Sequence, residues 1–267
     1  MYGVEEQDSI IALAIVNMIF RGDGKNNMIE GNCFRKWLNA KSTGKSYRAE
    51  YVSKDVSSRI APITKVMMNP PFALKKGDEK EYKFIEHALN QMEDGGLLFA
   101  ILPISVLVEK TIRAWRKDIL LKQNKLKAVI TFPEDLFYPV SVGTIGIFIQ
   151  KGIPHNFNSD KVYYARCIND GFSKKKGIRK KNIKVRNMLE EVKNELSNHL
   201  FDKEIKVQDV PEFKKLCLLN EEDKNCELVA EAYIDSRSVP QSEIEKGVEG
   251  LIREAVAFEI RFHDQLN

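Results

Sequence analysis

Lys65-Val66-Met67-Met68-Asn69-Pro70-Pro71-Phe72 joins a short apolar run to a rigid turn. Such a run, bounded by breakers, reads as a strand buried in a sheet. The two prolines end it, because each lacks an amide donor for a ladder and each restricts the residue before it. Working outward, residues 81–93 place Phe84, Ile85, Ala88, Leu89 and Met92 on one helical face, and Gly95-Gly96 stops the helix. Residues 97–102 are almost wholly apolar, as expected of a strand covered on both faces. Residues 111–121 return to helical spacing with Ile112, Trp115 and Ile119 inward, and residues 127–132 and 144–150 read as strands. On the other side, residues 1–5 read as the end of a strand. Residues 9–21 read as a helix capped by Asp8 or Ser9 and stopped by Gly22, and residues 27–30 as a short strand. Strands alternating with helices predict an α/β fold, a mostly parallel sheet with helices on both faces. In such sheets ligands bind beyond the carboxyl ends of the strands, where Asn69 stands.

The chain of 267 residues has room for one large domain, or for a domain with an appendage. Its character changes near residue 152, which predicts an α/β unit over 1–152 and an extension over 153–267. In the extension residues 161–166 read as a strand, and 183–200 and 242–266 as helices. In the last of these Ile244, Val248, Leu251, Ala255, Phe258 and Phe262 form a packing seam. The formal net charge is only +4, so placement matters more than balance. Lys174, Lys175, Lys176, Arg179, Lys180 and Lys181 cluster as a phosphate contact or as a solvated loop. Cys33, Cys167, Cys217 and Cys226 form no CxxC pair and have no histidine at ligand spacing, which predicts reduced thiols in a cytosolic protein and no metal site. The apolar stretch 10–20 is shorter than the roughly 20 residues a membrane span needs, and predicts a helix buried against a sheet.

The Asn-Pro-Pro-Phe turn has a chemical reading beside the plain one of a strand terminator. An exocyclic amine on adenine is a weak nucleophile because its lone pair is delocalised into the ring. The Asn69 side-chain oxygen and the Pro70 carbonyl can each accept one of its N–H groups. Two fixed acceptors favour the pyramidal amine of the transition state. Phe72 offers an aromatic face to a base drawn out of the duplex.

Tyr2-Gly3-Val4-Glu5, Gly31-Asn32-Cys33, Asn69-Pro70-Pro71-Phe72 and Gly95-Gly96 with Leu102-Pro103 follow one another in an order that resembles the amino-group DNA methyltransferases. Phe132-Pro133, Leu136-Phe137, Gly143-Thr144 and Asn169-Asp170-Gly171-Phe172 continue it. The resemblance covers residues 1–185 and is strongest to the modification subunit of type I restriction–modification systems and to related type II enzymes. It implies a Rossmann-like fold that binds S-adenosyl-L-methionine and methylates adenine N6 in double-stranded DNA. It also implies a prokaryotic, cytoplasmic setting, with a specificity subunit and a restriction subunit as partners. Matched position by position, the turn Asn69, Pro70, Pro71 and Phe72 falls on the catalytic motif. Glu5 falls where an acid holds the cofactor ribose, Asn32, with Cys33 beside it, where the cofactor adenine is contacted, and Asn69 also counts among the cofactor-binding positions. Phe84 falls on a wall of the cofactor site, and Phe137 or Tyr138 beside the extruded base. Plainer readings stand next to these: Glu5 as a loop acid, Asn32 as a turn residue, Phe84, Phe132 and Phe137 as packing.

The sequence also departs from that family. Its glycine-rich cofactor loop belongs after a first strand, upstream of the strand ending at Glu5, and no later segment substitutes for it. The resemblance therefore implies a sheet lacking its first, central strand, with exposed edges, and a chain that by itself neither holds the cofactor nor turns over. Two other functions fit part of the pattern: methyl transfer to protein glutamine or to RNA, and a non-catalytic remnant that binds DNA or a partner through the basic cluster and terminal helices.

Overall fold

A computed structural model describes residues 2–23, 27–37, 50–51, 62–71, 79–137, 143–175, 178–202, 212–234 and 248. The chain divides into one compact unit, Met1–Ile234, and a second, Asp235–Asn267. In the second only Val248 is described, and it is helical, so the expected helix over 242–266 otherwise lies outside the described residues.

The first unit opens with β1 (Gly3–Glu5), α1 (Asp8–Phe20) and β2 (Met28–Glu30). β1 and β2 pair in parallel as a two-stranded sheet of their own. β3 (Lys36–Trp37) and β4 (Glu50–Tyr51) form another short parallel pair. β5 (Lys65–Met68) then starts the main sheet, followed by α2 (Glu81–Gln91) and β6 (Leu97–Pro103). A helical stretch runs from the α-turn α3 (Arg113–Trp115) into π-helical turns over Arg116–Leu121. β7 (Lys125–Thr131), β8 (Thr144–Gln150) and β9 (Lys161–Arg166) come next. The hairpin of β10 (Phe172–Lys175) and β11 (Ile178–Lys181), then α4 (Met188–Leu200) and β12 (Lys214–Leu218), complete the unit.

The main sheet has the order β12-β9-β7-β8-β6-β5. β5 with β6 and β7 with β9 are parallel, whereas β8 opposes both β6 and β7, and β12 opposes β9. Four of the six strands thus share a direction, and the sheet is mixed. β8 returns antiparallel beside β7 after a connection over residues 132–143. β9 and β12 belong to this same sheet, so the α/β architecture continues past residue 152.

Strand alternation sorts the core into two faces. Leu98, Ala100, Leu102, Ile145, Ile147 and Ile149 pack with α2 and Trp115 on one side. On the other, Ala128, Ile130, Tyr163 and Ala165 meet Met188 and Val192 of α4. A bulge between Leu126 and Ala128 lets Leu126 and Val129 share the first face. The α4 side is covered over β7 and β9 but thins toward β5, where Met67 is 81% exposed.

Two departures from the sequence reading concern helices. α1 does not bury itself against a sheet: Ile11 is its one buried residue, while Leu13, Val16, Ile19 and Phe20 are exposed. The stretch 10–20 is apolar on all sides, so periodicity gave it no direction, and among the described elements the β1–β2 pair is its main contact. The helix expected from residue 183 begins instead at Met188, where the Asn187 side chain accepts from the Glu190 amide and caps it.

Candidate active site

Among the described residues, Glu5 ends β1, Asn32 follows β2 and Asn69 follows β5, each at the carboxyl end of a strand paired in parallel. β5 stops at Met68, paired with Ala100 of β6. Beyond it Pro70 is buried while Asn69 and Pro71 are exposed. The buried ring anchors the turn, and no group among the described residues takes up the Asn69 carboxamide. Phe72 lies outside the described residues. The same end of the neighbouring strands is closed by the Ile104 amide donating to the Gly143 carbonyl at 3.1 Å and the Phe132 amide to the Thr144 carbonyl at 2.9 Å. Thr144 is fully buried, and its hydroxyl has no partner among the described residues. Phe137 sits half-buried in the turn after Phe132, and Tyr138 lies outside the described residues.

Parallel pairing of β1 with β2 brings Glu5 and Asn32 together, since Glu5 pairs with Glu30 and the Gly31 amide donates to the Glu5 carbonyl at 2.8 Å. One carboxylate oxygen of Glu5 accepts from the Gln7 amide at 2.9 Å. The other has no partner among the described residues, so the group can still accept from a hydroxyl. Asn32 is a turn residue as well as a candidate ligand. Its amide oxygen accepts from the Phe34 amide at 2.9 Å, and its NH2 faces the Glu6 carboxylate at 3.3 Å. Burial pushes the Cys33 thiol up to about 11, and the backbone of Cys33 hydrogen-bonds His87. Cys33 therefore stands at this turn as a neutral thiol. Phe34 meets Phe84 edge-on at 4.5 Å, tying the turn to α2 and giving Phe84 a packing role. This half of the site suits an adenosine: a carboxylate for ribose hydroxyls and an amide beside it. For a methionine moiety the described residues supply no glycine-rich backbone cradle. Nor does any described strand join the free edges of β1 and β5.

The basic segment is less uniform than its sequence suggests. Lys174 does not face solvent: its side chain is 2% exposed and its ammonium pairs with Asp170 at 2.8 Å and Asp135 at 2.7 Å. Asp135 lies 39 residues away, a partner no local reading could supply. Arg179 pairs with the same buried Asp170 at 2.8 Å and lies over the Phe172 ring, yet remains half-open to solvent. The expected phosphate contact by Lys174 is therefore corrected to an internal ion pair. The Lys175 side chain and Lys176 lie outside the described residues. The signal missed in the sequence is Asp170 itself, an acid next to the cluster whose charge the fold brings between two of its cations.

Comparison with known proteins places this arrangement. The model of a family described as N-6 DNA methylase matches residues 1–241. The chain belongs to that family. It is 34% identical over 183 residues to the type II restriction enzyme and methyltransferase RM.BcgI of Heyndrickxia coagulans, covering 67% of this chain and 26% of that protein. It is 28% identical over 107 residues to the StySPI methylase subunit of a type I restriction enzyme from Salmonella potsdam, 36% of this chain and 20% of that one. The chain therefore spans about a quarter or less of the curated relatives it matches. Among solved structures, the type I restriction–modification methyltransferase subunit from Streptococcus thermophilus superposes with a TM-score of 0.60 at 20% identity, covering 88% of this chain and 48% of that one. A subunit of Vibrio vulnificus gives 0.52 at 16% identity, over 80% and 42%. At those identities the structures establish a shared fold. Among the described residues no helix is long and apolar enough to cross a membrane, and no cluster of side chains is arranged to hold a metal ion.

Proposed function

We propose that this chain carries the amine-positioning part of an S-adenosyl-L-methionine-dependent methyltransferase acting on adenine N6 in double-stranded DNA. The supporting observation is the turn beyond β5, where an unengaged Asn69 carboxamide is held in place by the buried ring of Pro70. The Asn69 oxygen and the Pro70 carbonyl accept the two N–H groups of the target amine and orient its lone pair. Pro71 stiffens the turn, Phe72 offers its ring to the extruded base, and Phe137 or Tyr138 helps hold that base. S-adenosyl-L-methionine, when bound, supplies a methyl group activated by a positively charged sulfur. Glu5 accepts from its ribose hydroxyls and Asn32 donates toward its adenine. No strong base is required of the protein before attack, because the departing thioether is neutral.

On this reading further polypeptide completes the cofactor site, since among the described residues no strand joins the free edges of β1 and β5 and no glycine-rich cradle is supplied. A specificity subunit, and a restriction subunit with it, fit the type I character of the relatives. Arg179, Lys175 and Lys176 are contacts for DNA on this reading.

The test is calorimetric titration of S-adenosyl-L-methionine into the chain alone and into the chain joined by the upstream polypeptide. Methylation of a duplex is then assayed in the complete enzyme with and without Asn69→Ala. The expected pattern is no binding alone, binding on completion, and a variant whose cofactor affinity is kept while turnover falls about 100- to 1,000-fold, as when one positioned acceptor or donor is lost. A fully active variant overturns the role of Asn69.

A further inference from the structure

Between Asp170 and Glu190 the chain holds no acidic residue and eight cations: Lys174, Lys175, Lys176, Arg179, Lys180, Lys181, Lys184 and Arg186. The fold divides them into two sets. In the hairpin, Lys174 is opposite Arg179 and Ser173 is opposite Lys180. Residues directly opposite share a face, and successive residues alternate. The Lys174–Arg179 face lies over Asp170, which is buried and pairs with both cations. Lys180 is on the reverse face and exposed. Lys181, opposite Phe172, returns to the Lys174–Arg179 face at the base of the hairpin, and Lys184 follows; both are exposed, and none of these three has a carboxylate partner among the described residues.

The base that carries them is fixed at several points. The Asp170 carboxylate accepts from the Phe172 amide at 3.1 Å, and the Asn182 amide donates to the Gly171 carbonyl at 2.9 Å. The Asn182 NH2 reaches the Ser173 hydroxyl at 2.6 Å, while its side-chain oxygen accepts from the Lys184 amide at 3.0 Å. Gly171 has φ +81° and lies so close to Asn187 that a Cβ would stand 3.0 Å from the Asn187 Cβ. Ile183, between Asn182 and Lys184, is 96% exposed. A braced hairpin in which Lys174 and Arg179 are paired with buried Asp170, while Lys180 on one face, Lys181 on the other and Lys184 beyond them have no carboxylate among the described residues, suits a polyanion with regularly spaced charges.

We infer that Lys180, Lys181 and Lys184 form a phosphate-contacting ridge for the DNA backbone, and that Lys174 is the hairpin's internal anchor. This rests on the DNA reading above and moves the contact from the first lysines of the cluster to the last. Such contacts are sequence-independent and release counterions, so their number is read from the salt dependence of affinity.

The experiment is fluorescence anisotropy of a labelled 30-base-pair duplex with the full chain over a series of salt concentrations. Three proteins are compared: wild type, the triple variant Lys180→Gln, Lys181→Gln, Lys184→Gln, and Lys174→Gln. Each lost phosphate contact lowers the slope of log affinity against log salt by about 0.9. The triple variant is expected to lose between two and three from the slope while its urea midpoint is unchanged. Lys174→Gln is expected to lower the urea midpoint and keep the slope. Wild-type binding with the same slope in the triple variant overturns the ridge alone. A slope that falls in Lys174→Gln but not in the triple variant returns the contact to the first lysines. No salt-dependent binding by wild type overturns the DNA reading and the ridge together.

Discussion

Short-range partners fix some side chains of this fold, and long-range partners fix others. Asn69 and Pro70 follow the first case: a strand ended by two prolines fixes where the carboxamide stands, and the structure puts it at the carboxyl edge of β5. Lys174 follows the second, because its fate was settled by Asp135 and by the burial of Asp170. Arg116 is a stronger instance. In sequence it reads as a polar position of an amphipathic helix. In the fold it is fully buried and donates to the carbonyls of Cys226, Asn225, Val106 and Glu109, stapling the π-helical turns to a segment more than a hundred residues on. Gly146 likewise has a requirement visible only in three dimensions. A Cβ there would stand 2.7 Å from the Phe132 ring and 2.9 Å from Phe99. Both rings lie across β8 on the α4 side, beside the strand ends that carry the site. Gly146→Ala should therefore force the rings apart and cost about 1–3 kcal/mol, as overpacking does. Equilibrium urea denaturation measures it, and an unchanged midpoint would show that the rings shift freely.

At the scale of elements, β5, β6, β8 and β9 stand where their apolar runs put them, because runs bounded by breakers need little context. Direction was less accessible: nothing within residues 144–150 says that this strand opposes both its neighbours, since that depends on the length of a connection and on sheet order. α1 shows the limit of periodicity from the other side. With apolar residues all round, it has no preferred face to bury, and it leaves Leu13 and Ile19 more than half exposed. The double substitution Leu13→Gln, Ile19→Gln should change stability by no more than about 0.5 kcal/mol per site, the usual range for exposed positions. It should also reduce self-association, because a contiguous apolar surface is removed. Light scattering with a parallel denaturation curve distinguishes the two effects. A loss of several kcal/mol would mean that this face is covered within the chain.

For the molecule as a whole, stability is tied to pH through histidines placed in the interior. Burial lowers the affinity of His87, His155 and His199 for a proton below the ordinary histidine value. His87 and His199 are partly compensated, by the Cys33 backbone and by the Lys127 carbonyl at 2.8 Å. His155 has neither: both its ring nitrogens are buried without a hydrogen bond, while the Lys125 ammonium opposes protonation and the Asp160 carboxylate favours it. The unfolded chain binds a proton at each of these sites near pH 6.5, before the folded chain does. Stability is therefore fully present above about pH 6.5 and is lost as pH falls through the lowered folded values, because the unfolded state then holds more protons. Asp160 and Glu191 are held below the usual carboxylate range, Asp160 by the Asn156 amide and the Lys125 ammonium against its burial, Glu191 by the Arg186 guanidinium. Their contribution disappears only in a separate, more acidic window. The His155 ring packs edge-on to Phe157 at 5.4 Å, so His155→Phe keeps an aromatic of similar size and removes the titrating group. Urea midpoints taken at pH 7.5 and pH 5.5 should fall on acidification in the wild type and fall less in the variant. Equal drops would assign the acid sensitivity to His87 and His199, and a flat wild-type profile would show that water reaches these rings well enough to protonate them without unfolding.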